Sequence, residues 1–293
     1  MNPISKPPER LIIEDFAKEI ERATPADPPA EEVIYFRNWH IIRKKSPVKL
    51  VPVEILRYRK DNGRIASDVL SYEKLNGALI ERDDNAQRIL KKFLDEKDSE
   101  KTSELMNSIR HSTQREPAVI TSDGFLINGN RRKLALEKLY EETKEERFKW
   151  MRVVILPGKK DTEEGGPPTI YEIEQIENRY QFQSEGKAEY YSFDKALSIR
   201  KKINHGMSLE EQLKDDPNFA HLQQKEFEKV VKKFREDYLE PLNCIDQYLE
   251  SLGREALYDT VSTGISDKEG RWQAFLDYYD YVEKKLADGD KLY

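Results

Sequence analysis

A polar stretch, residues 159–168 (KKDTEEGGPP), divides this chain into two parts of different pattern. Adjacent glycines and prolines without apolar periodicity cannot prolong a helix or a central strand. Ahead of the stretch, short runs of β-branched and aliphatic residues alternate with helical periods; behind it, apolar residues fall almost entirely at helical spacing. A chain of 293 residues has room for two ordinary domains. The pattern predicts an α+β protein: an N-terminal helix and linker over 1–36, a small mixed-sheet domain over 37–168, and an all-α domain over 169–293.

In the first part, Leu11, Ile12, Phe16 and Ile20 make one apolar stripe of a short helix, which Pro25, Pro28 and Pro29 terminate. Residues 48–53 read as a strand leading to a turn at Asp61, Asn62 and Gly63. Ile89, Leu90, Phe93 and Leu94 share a helical face over 85–98, and Leu105, Met106 and Ile109 do so in the next segment. The runs PAVIT (117–121) and FLIN (125–128) read as two short strands joined at Ser122, Asp123 and Gly124, a turn-forming set at hairpin distance. A helix follows, with Leu134, Ala135, Leu136 and Leu139 at helical spacing, and MRVVIL (151–156) reads as a third strand of buried type.

Beyond the break, Ile170, Ile173 and Ile176 lie three apart, and Ala196, Leu197, Ile199 and Ile203 belong to a helix ended by Asn204, His205 and Gly206. Ser208 with Glu211 is a capping-box start, in which hydroxyl and carboxylate each satisfy a free backbone N–H. Trp272, Phe275, Leu276, Tyr279, Val282 and Leu286 form an aromatic-rich stripe, which reads as core or subunit interface in preference to a base-stacking platform.

Composition removes several functional classes. Fifty Lys+Arg against 56 Asp+Glu give a net charge of −6, so the whole molecule is no electrostatic glue for nucleic acid. Charge is unevenly placed: residues 37–67 carry nine bases and two acids, residues 244–293 six bases and eleven acids. The first stretch suits phosphate and the last avoids it. A single cysteine, Cys244, excludes an intramolecular disulfide or a multi-thiolate zinc centre, and four scattered histidines argue against a histidine-based metal centre. No run approaches the roughly 18 to 20 apolar residues of a membrane span, and the start MNPISKPPER lacks the apolar core of a secretory signal. The expectation is a cytoplasmic chain with no membrane partner.

The most informative string is DGFLINGNRRKLA, 123–135. A strand runs into Gly129 and a helix begins with two arginines, so unpaired backbone N–H groups, the positive helix end and guanidinium forks converge. That is a phosphate-binding arrangement. Gly129 lets the backbone approach an anion, and Arg131 and Arg132 leave the first turn on different sides. Near position 178, Glu177 and Asn178 offer the oxygen donors that magnesium takes when nucleotide phosphates and water complete its octahedron.

The order of these features resembles the ParB/sulfiredoxin superfamily, in particular the N-terminal domain of ParB-type chromosome-partition proteins. Asn62-Gly63-Arg64 stands where the family carries its first motif, ending Q-P-R. Residues 108–119 stand in place of G-x-x-x-P-I-x-V, and Gly129-Asn130-Arg131-Arg132 in place of G-E-R-R. The string IEQIENRYQ (173–181) is similar to the family's E-N-x-Q-R segment. Asn130 replaces the family glutamate, Arg179-Tyr180-Gln181 replaces x-Q-R, and 65–103 holds a longer helical insertion. Asn130 also stands where the sulfiredoxin branch has its reactive cysteine, which excludes that activity. The histidines of the serine-phosphorylating branch are absent from the same turn.

The resemblance implies a nucleotide site for CTP or another NTP. Gly129, Asn130, Arg131 and Arg132 would hold the triphosphate, Arg64 would close over phosphate or ribose, and Glu177 and Asn178 would hold Mg²⁺. Any hydrolysis would be slow, resting on metal and arginine alone. It implies further a homodimer that switches self-association on DNA. A helix-turn-helix would put 223–235 at the recognition position, with Lys225, Lys229, Lys232, Lys233 and Arg235 available for phosphate. The interleaved acids Glu226, Glu228, Glu236 and Asp237 fit a solvated helix paired i to i+4 equally well. Two rival readings are an enzyme on the same fold, an ATP-dependent kinase or a nuclease in a DNA-modification or phage-related system, and a helical adaptor whose α/β domain has lost its ligand.

Overall fold

The computed structural model describes residues 10–97, 99–112, 114–182, 191–262 and 271–285. In chain order the elements begin with α1 (Glu14–Ile20), β1 (Thr24–Pro25), β2 (Glu31–Glu32), β3 (Ser46–Pro47) and β4 (Lys49–Pro52). There follow α2 (Ala66–Asn76), α3 (Asp84–Lys97), α4 (Ser99–Ser112), β5 (Ala118–Ile120), α5 (Asn130–Thr143), β6 (Trp150–Ile155) and α6 (Ile170–Phe182). The remainder is helical: α7 (Ser192–Asn204), α8 (Leu209–Lys214), α9 (Pro217–Ala220), α10 (Gln224–Phe234), α11 (Glu240–Ser251), α12 (Asp259–Ser262) and α13 (Trp272–Tyr278). The fold is α+β. It separates into two units, Met1–Arg59 with Ile80–Ser184, and Lys60–Leu79 with Glu185–Tyr293.

The first unit is built on a four-stranded mixed sheet of order β1-β4-β6-β5; β2 and β3 form a separate two-stranded ribbon. Strand β6 is central, antiparallel to β4 and parallel to β5, with Val153 opposite both Lys49 and Ala118. Its near-continuous apolar run follows from burial on both faces, since Met151, Val153 and Val154 are all inaccessible. A parallel neighbour needs a crossover connection, and α5 supplies it between β5 and β6. Val119 and Val154 share a core with Ile173 and Ile176 of α6, while Ala118 and Met151 face the start of α5. The sheet is thus covered by α6 on one side and by α5 on the other. α3 and α4 hold α5 from outside through the pairs Lys138–Asp95 and Arg110–Glu142.

Five expectations change. The run FLIN forms no full strand: Phe125 and Leu126 make only single bridges, to Arg57 and Ile120. The reason is local chemistry. Backbone bonds persist from the Thr121 N–H to the Phe125 carbonyl and from the Ile127 N–H to the Val119 carbonyl, both 2.9 Å, but Thr121 Oγ1 takes the Phe125 N–H at 3.0 Å and Asn128 Oδ1 takes the Val119 N–H at 2.6 Å, so side chains interrupt the ladder. Residues 24–36 are no linker. Thr24 and Pro25 pair with Leu50 and Lys49 at the sheet edge, and Ala26, Ile34 and Phe36 enter the core. Leu11 stands 88% exposed, outside the stripe that buries Ile12 and Ile20.

The polar segment 159–168 is also ordered. Arg37 donates to the Glu164 carbonyl and, at 3.3 Å, to that of Pro167, and its Nε reaches Glu172 Oε1 at 2.8 Å. Gly165, at φ 85°, holds a left-handed backbone that favours glycine, with the Arg37 guanidinium close against it. α6, placed in the helical half by its sequence position, belongs to the first unit because Ile173 and Ile176 complete that core.

In the second unit α7 presents two apolar faces. Phe193, Ala196 and Leu197 pack with Leu242, Ile245, Leu249, Tyr258, Val261 and Trp272; Ile199 packs with Leu209, Leu213, Phe227 and Val231. α2 joins this unit through Asp194, whose Oδ1 accepts from the Ser67 N–H at 3.1 Å and its hydroxyl at 2.8 Å. The Ser208–Glu211 capping box is formed. Of the aromatic stripe, Trp272 is core and contacts Phe193 edge-on. Val282 is exposed, and Leu286 lies outside the described residues.

Candidate functional site

The start of α5 takes its shape from packing before any ligand enters. Gly129 is the N-cap with φ 85°. A Cβ there would lie 2.7 Å from Ala118 Cβ and 3.1 Å from Met151 Cε, so the sheet itself demands glycine. Gly129 has no side chain to cap the helix and the first turn holds no acid, so the first turn does not itself neutralise the positive helix end. Asn130, the first helical residue, is 8% exposed, and its Oδ1 has no hydrogen-bond partner among the described residues. Buried polar atoms are satisfied in most native structures, and an amide oxygen accepts, so this orphan calls for a donor or a cation.

The two arginines diverge. Arg131 is half-buried. Arg132 is 14% exposed at its side chain; Nη1 donates to the Glu116 carbonyl, and Nη2 lies 3.6 Å from Glu116 Oε2. Burial pulls its pKa down, and the negative charge of Glu116 opposes that fall. Tyr180 of α6 belongs to the same neighbourhood: burial pushes its phenol up to about 12, with Glu32 raising it and Arg132 lowering it. The G-N-R-R turn and the E-N-R-Y segment thus influence each other electrostatically through Arg132 and Tyr180. Lys133, the next residue, faces elsewhere, over the Tyr58 ring at 4.3 Å and paired with Glu137.

Glu174, Glu177 and Asn178 occupy one face of α6, at i, i+3 and i+4, and all three are buried. Arg59 lies between the carboxylates, 3.8 Å from Glu174 and 3.5 Å from Glu177. Glu177 and Asn178 carry the oxygen donors that magnesium prefers, with Arg59 as the resident counter-charge that a cation would have to displace. Among the described residues no group of three or more His, Cys, Asp or Glu could hold a metal ion. Arg64 belongs to the second unit, where the Asn62 side chain accepts its N–H at 3.1 Å. On α10, Phe227 and Val231 are buried while Lys225, Lys229, Lys232 and Lys233 are exposed; Lys232 lies 3.8 Å from Glu236. The side chain of Gln181 lies outside the described residues.

Three features escaped the sequence reading. Arg59 was one base in a basic stretch and Glu174 one acid on a helix; only the i, i+3, i+4 spacing of 174, 177 and 178 hinted at a shared polar face. Thr169 and Glu172 form a capping box at the start of α6, signalled by T-x-x-E. Asp123, read as a turn residue, is fully buried. Its carboxylate accepts from Arg10 at 2.7 and 2.9 Å, from the Ile13 N–H at 3.0 Å and from the Thr121 hydroxyl at 2.6 Å.

Comparison with protein-family models, with curated proteins and with solved structures gives no match to this chain. Among the described residues no helix is long and apolar enough to cross a membrane.

Proposed function

We propose that the first unit binds the phosphates of a nucleotide, CTP or another NTP, at the start of α5, and that the chain is a cytoplasmic, DNA-associated protein of ParB-like type. The observation that carries this reading is the start of α5, where Gly129 at φ 85° is the N-cap and the first turn holds two arginines and no acid. In this reading the N–H groups after Gly129 hold phosphate oxygens, with Arg131 and Arg132 supplying charge. Magnesium would neutralise the phosphoryl oxygens beside Glu177 and Asn178. Lys225, Lys229, Lys232 and Lys233 would meet the DNA backbone, and nucleotide binding would favour a homodimer on DNA. With no general base specified, hydrolysis would be slow.

A thermal-shift screen of the four ribonucleoside triphosphates with Mg²⁺, with and without duplex DNA, tests the reading. One triphosphate raises Tm by mass action, and Arg132→Ala removes the rise while leaving a cooperative apo transition. Cross-linking between protomers increases with that nucleotide and DNA together. Rapid phosphate transfer to a small acceptor without DNA indicates the enzyme alternative instead. A second reading has its own support: Arg132 beside Glu116 and Glu177 beside Arg59 already balance charge internally, as in an adaptor whose α/β unit no longer takes a ligand. That reading predicts no shift with any nucleotide.

A further inference from the structure

We propose that the face formed by α11 and α13 in the second unit docks a basic amphipathic helix of another protein. The inference does not depend on the start of α5. The two helices share a core through Leu242, Ile245, Leu249 and Trp272. On α11 the residues Glu240, Cys244, Tyr248 and Leu252 recur at every fourth position and so lie along one side. The Tyr248 ring is 5.5 Å from that of Phe275 on α13, and Tyr278 follows three residues later on the same side as Phe275. One apolar run therefore passes through Leu252, Tyr248, Phe275 and Tyr278. Tyr248 is 41% exposed, Tyr278 44% and Leu252 50%, so each keeps nearly half its surface in water. Adjoining apolar side chains left in this state mark a surface that association would bury. From Glu240 to Leu252 the stripe is about 18 Å long at the helical rise, room for about three turns of a partner helix.

Charge selects the occupant. Glu240 begins the α11 stripe and accepts from Asn243 Nδ2 at 3.1 Å, and Glu283 accepts from the Tyr278 hydroxyl at 2.9 Å. Among the described residues neither carboxylate is paired with a lysine or arginine, and Lys284 is taken by Glu236 at 3.0 Å. Their field is felt between the helices: burial pushes the Cys244 thiol up and both carboxylates add to it, while burial, Glu240 and Glu236 raise the Tyr279 phenol. Exposed Glu250 and Asp277 extend the acidic rim. Such a face repels a nucleic-acid backbone. A second copy seated on it about a two-fold axis would set the same carboxylates against themselves. A helix carrying lysine or arginine beside an apolar stripe meets both demands. Its cations answer Glu240 and Glu283 and lie over the tyrosine faces, and its apolar side covers Leu252 and Phe275.

The test uses the full chain and two dye-labelled model helices of equal length, one of leucine and lysine, the other of leucine and glutamate. Binding is followed by fluorescence anisotropy at physiological ionic strength. The lysine peptide is expected to bind saturably at one site, and the glutamate peptide at least about tenfold more weakly. Tyr248→Ser with Tyr278→Ser is expected to weaken the lysine peptide about tenfold or more, as when aromatic anchors are truncated. Glu240→Gln with Glu283→Gln keeps both rings and is expected to weaken it about threefold or more. Glu19→Gln with Glu210→Gln makes an equal change in charge at exposed residues of α1 and α8 and is expected to stay within about twofold of wild type. Should the serine variant lack a cooperative thermal transition, the two glutamine pairs decide alone. Equal weakening by those pairs, or a folded serine variant that binds as tightly as wild type, refutes the docking face in favour of bare charge attraction. A lysine peptide that does not bind wild type refutes it as well. If the serine variant instead converts a wild-type dimer to monomer in sedimentation, a second copy is the occupant and the proposal is overturned.

Discussion

Two arginine–carboxylate pairs engage the segment from Glu116 to Arg132, and they are built differently. Arg10 grips Asp123 through both carboxylate oxygens, at 2.7 and 2.9 Å, beneath the N-terminal segment, with Asp123 wholly inaccessible and further held by Thr121 and the Ile13 N–H. Arg132 meets Glu116 at 3.6 Å, with the carboxylate mostly in water. The first pair leaves nothing for a ligand to do. The second keeps its carboxylate at the surface. The same two residue types thus act as a seal in one place and as a longer surface contact in the other, and burial of the carboxylate decides which.

The largest expected effect breaks the seal. Arg10→Met strands a buried carboxylate and is expected to cost about 3 to 5 kcal/mol in urea unfolding. Glu116→Gln is expected to change stability by less than about 1 kcal/mol. Equal losses in the two variants would erase the distinction between the pairs.

That seal was not legible in the sequence. Arg10 and Asp123 are 113 residues apart, and Asp-Gly between apolar runs is an ordinary turn signal. Local periodicity did reveal β4, β6, α3, α4 and α5, because their apolar spacing follows directly from which face is covered. It could not say what covers it. Residues 24–36 looked like a proline-rich spacer, yet Ile34 and Phe36 are core, since their partners come from 119, 154 and 173. Likewise α2 lies between elements of the first unit in sequence but is tied by Ser67 to Asp194. At the candidate site, the string predicted Gly129 and the helix start; the roles of Glu116, Arg59 and Glu174 arise only when distant segments meet.

A smaller effect separates packing from ligand at the G-N-R-R turn. Gly129→Ala forces a Cβ against Ala118 at φ 85° and is expected to cost about 1 to 3 kcal/mol without any ligand present. A neutral outcome in urea unfolding would mean that the glycine serves only the anion.

The smallest effect concerns α6, which carries Glu177 and Asn178. Burial alone would push the Glu172 carboxyl up, but the Arg37 pair and the Thr169 N–H and hydroxyl hold it below its ordinary value of 4.5. A depressed folded value means that the native state binds fewer protons, so this stability is present above pH 4.5 and is lost as pH falls through the lower folded value. Arg37→Gln is expected to flatten the acid limb of the stability profile by under about 1 kcal/mol, Glu172 being partly exposed. An unchanged acid limb would detach Arg37 from the placement of α6.

The start of α5 can be observed directly by titrating ¹⁵N-labelled protein with the triphosphate selected in the thermal screen, with magnesium present. The account predicts that the amide resonances of residues 129–133 move first and furthest. Saturable binding that leaves those amides still, while others respond, would contradict it.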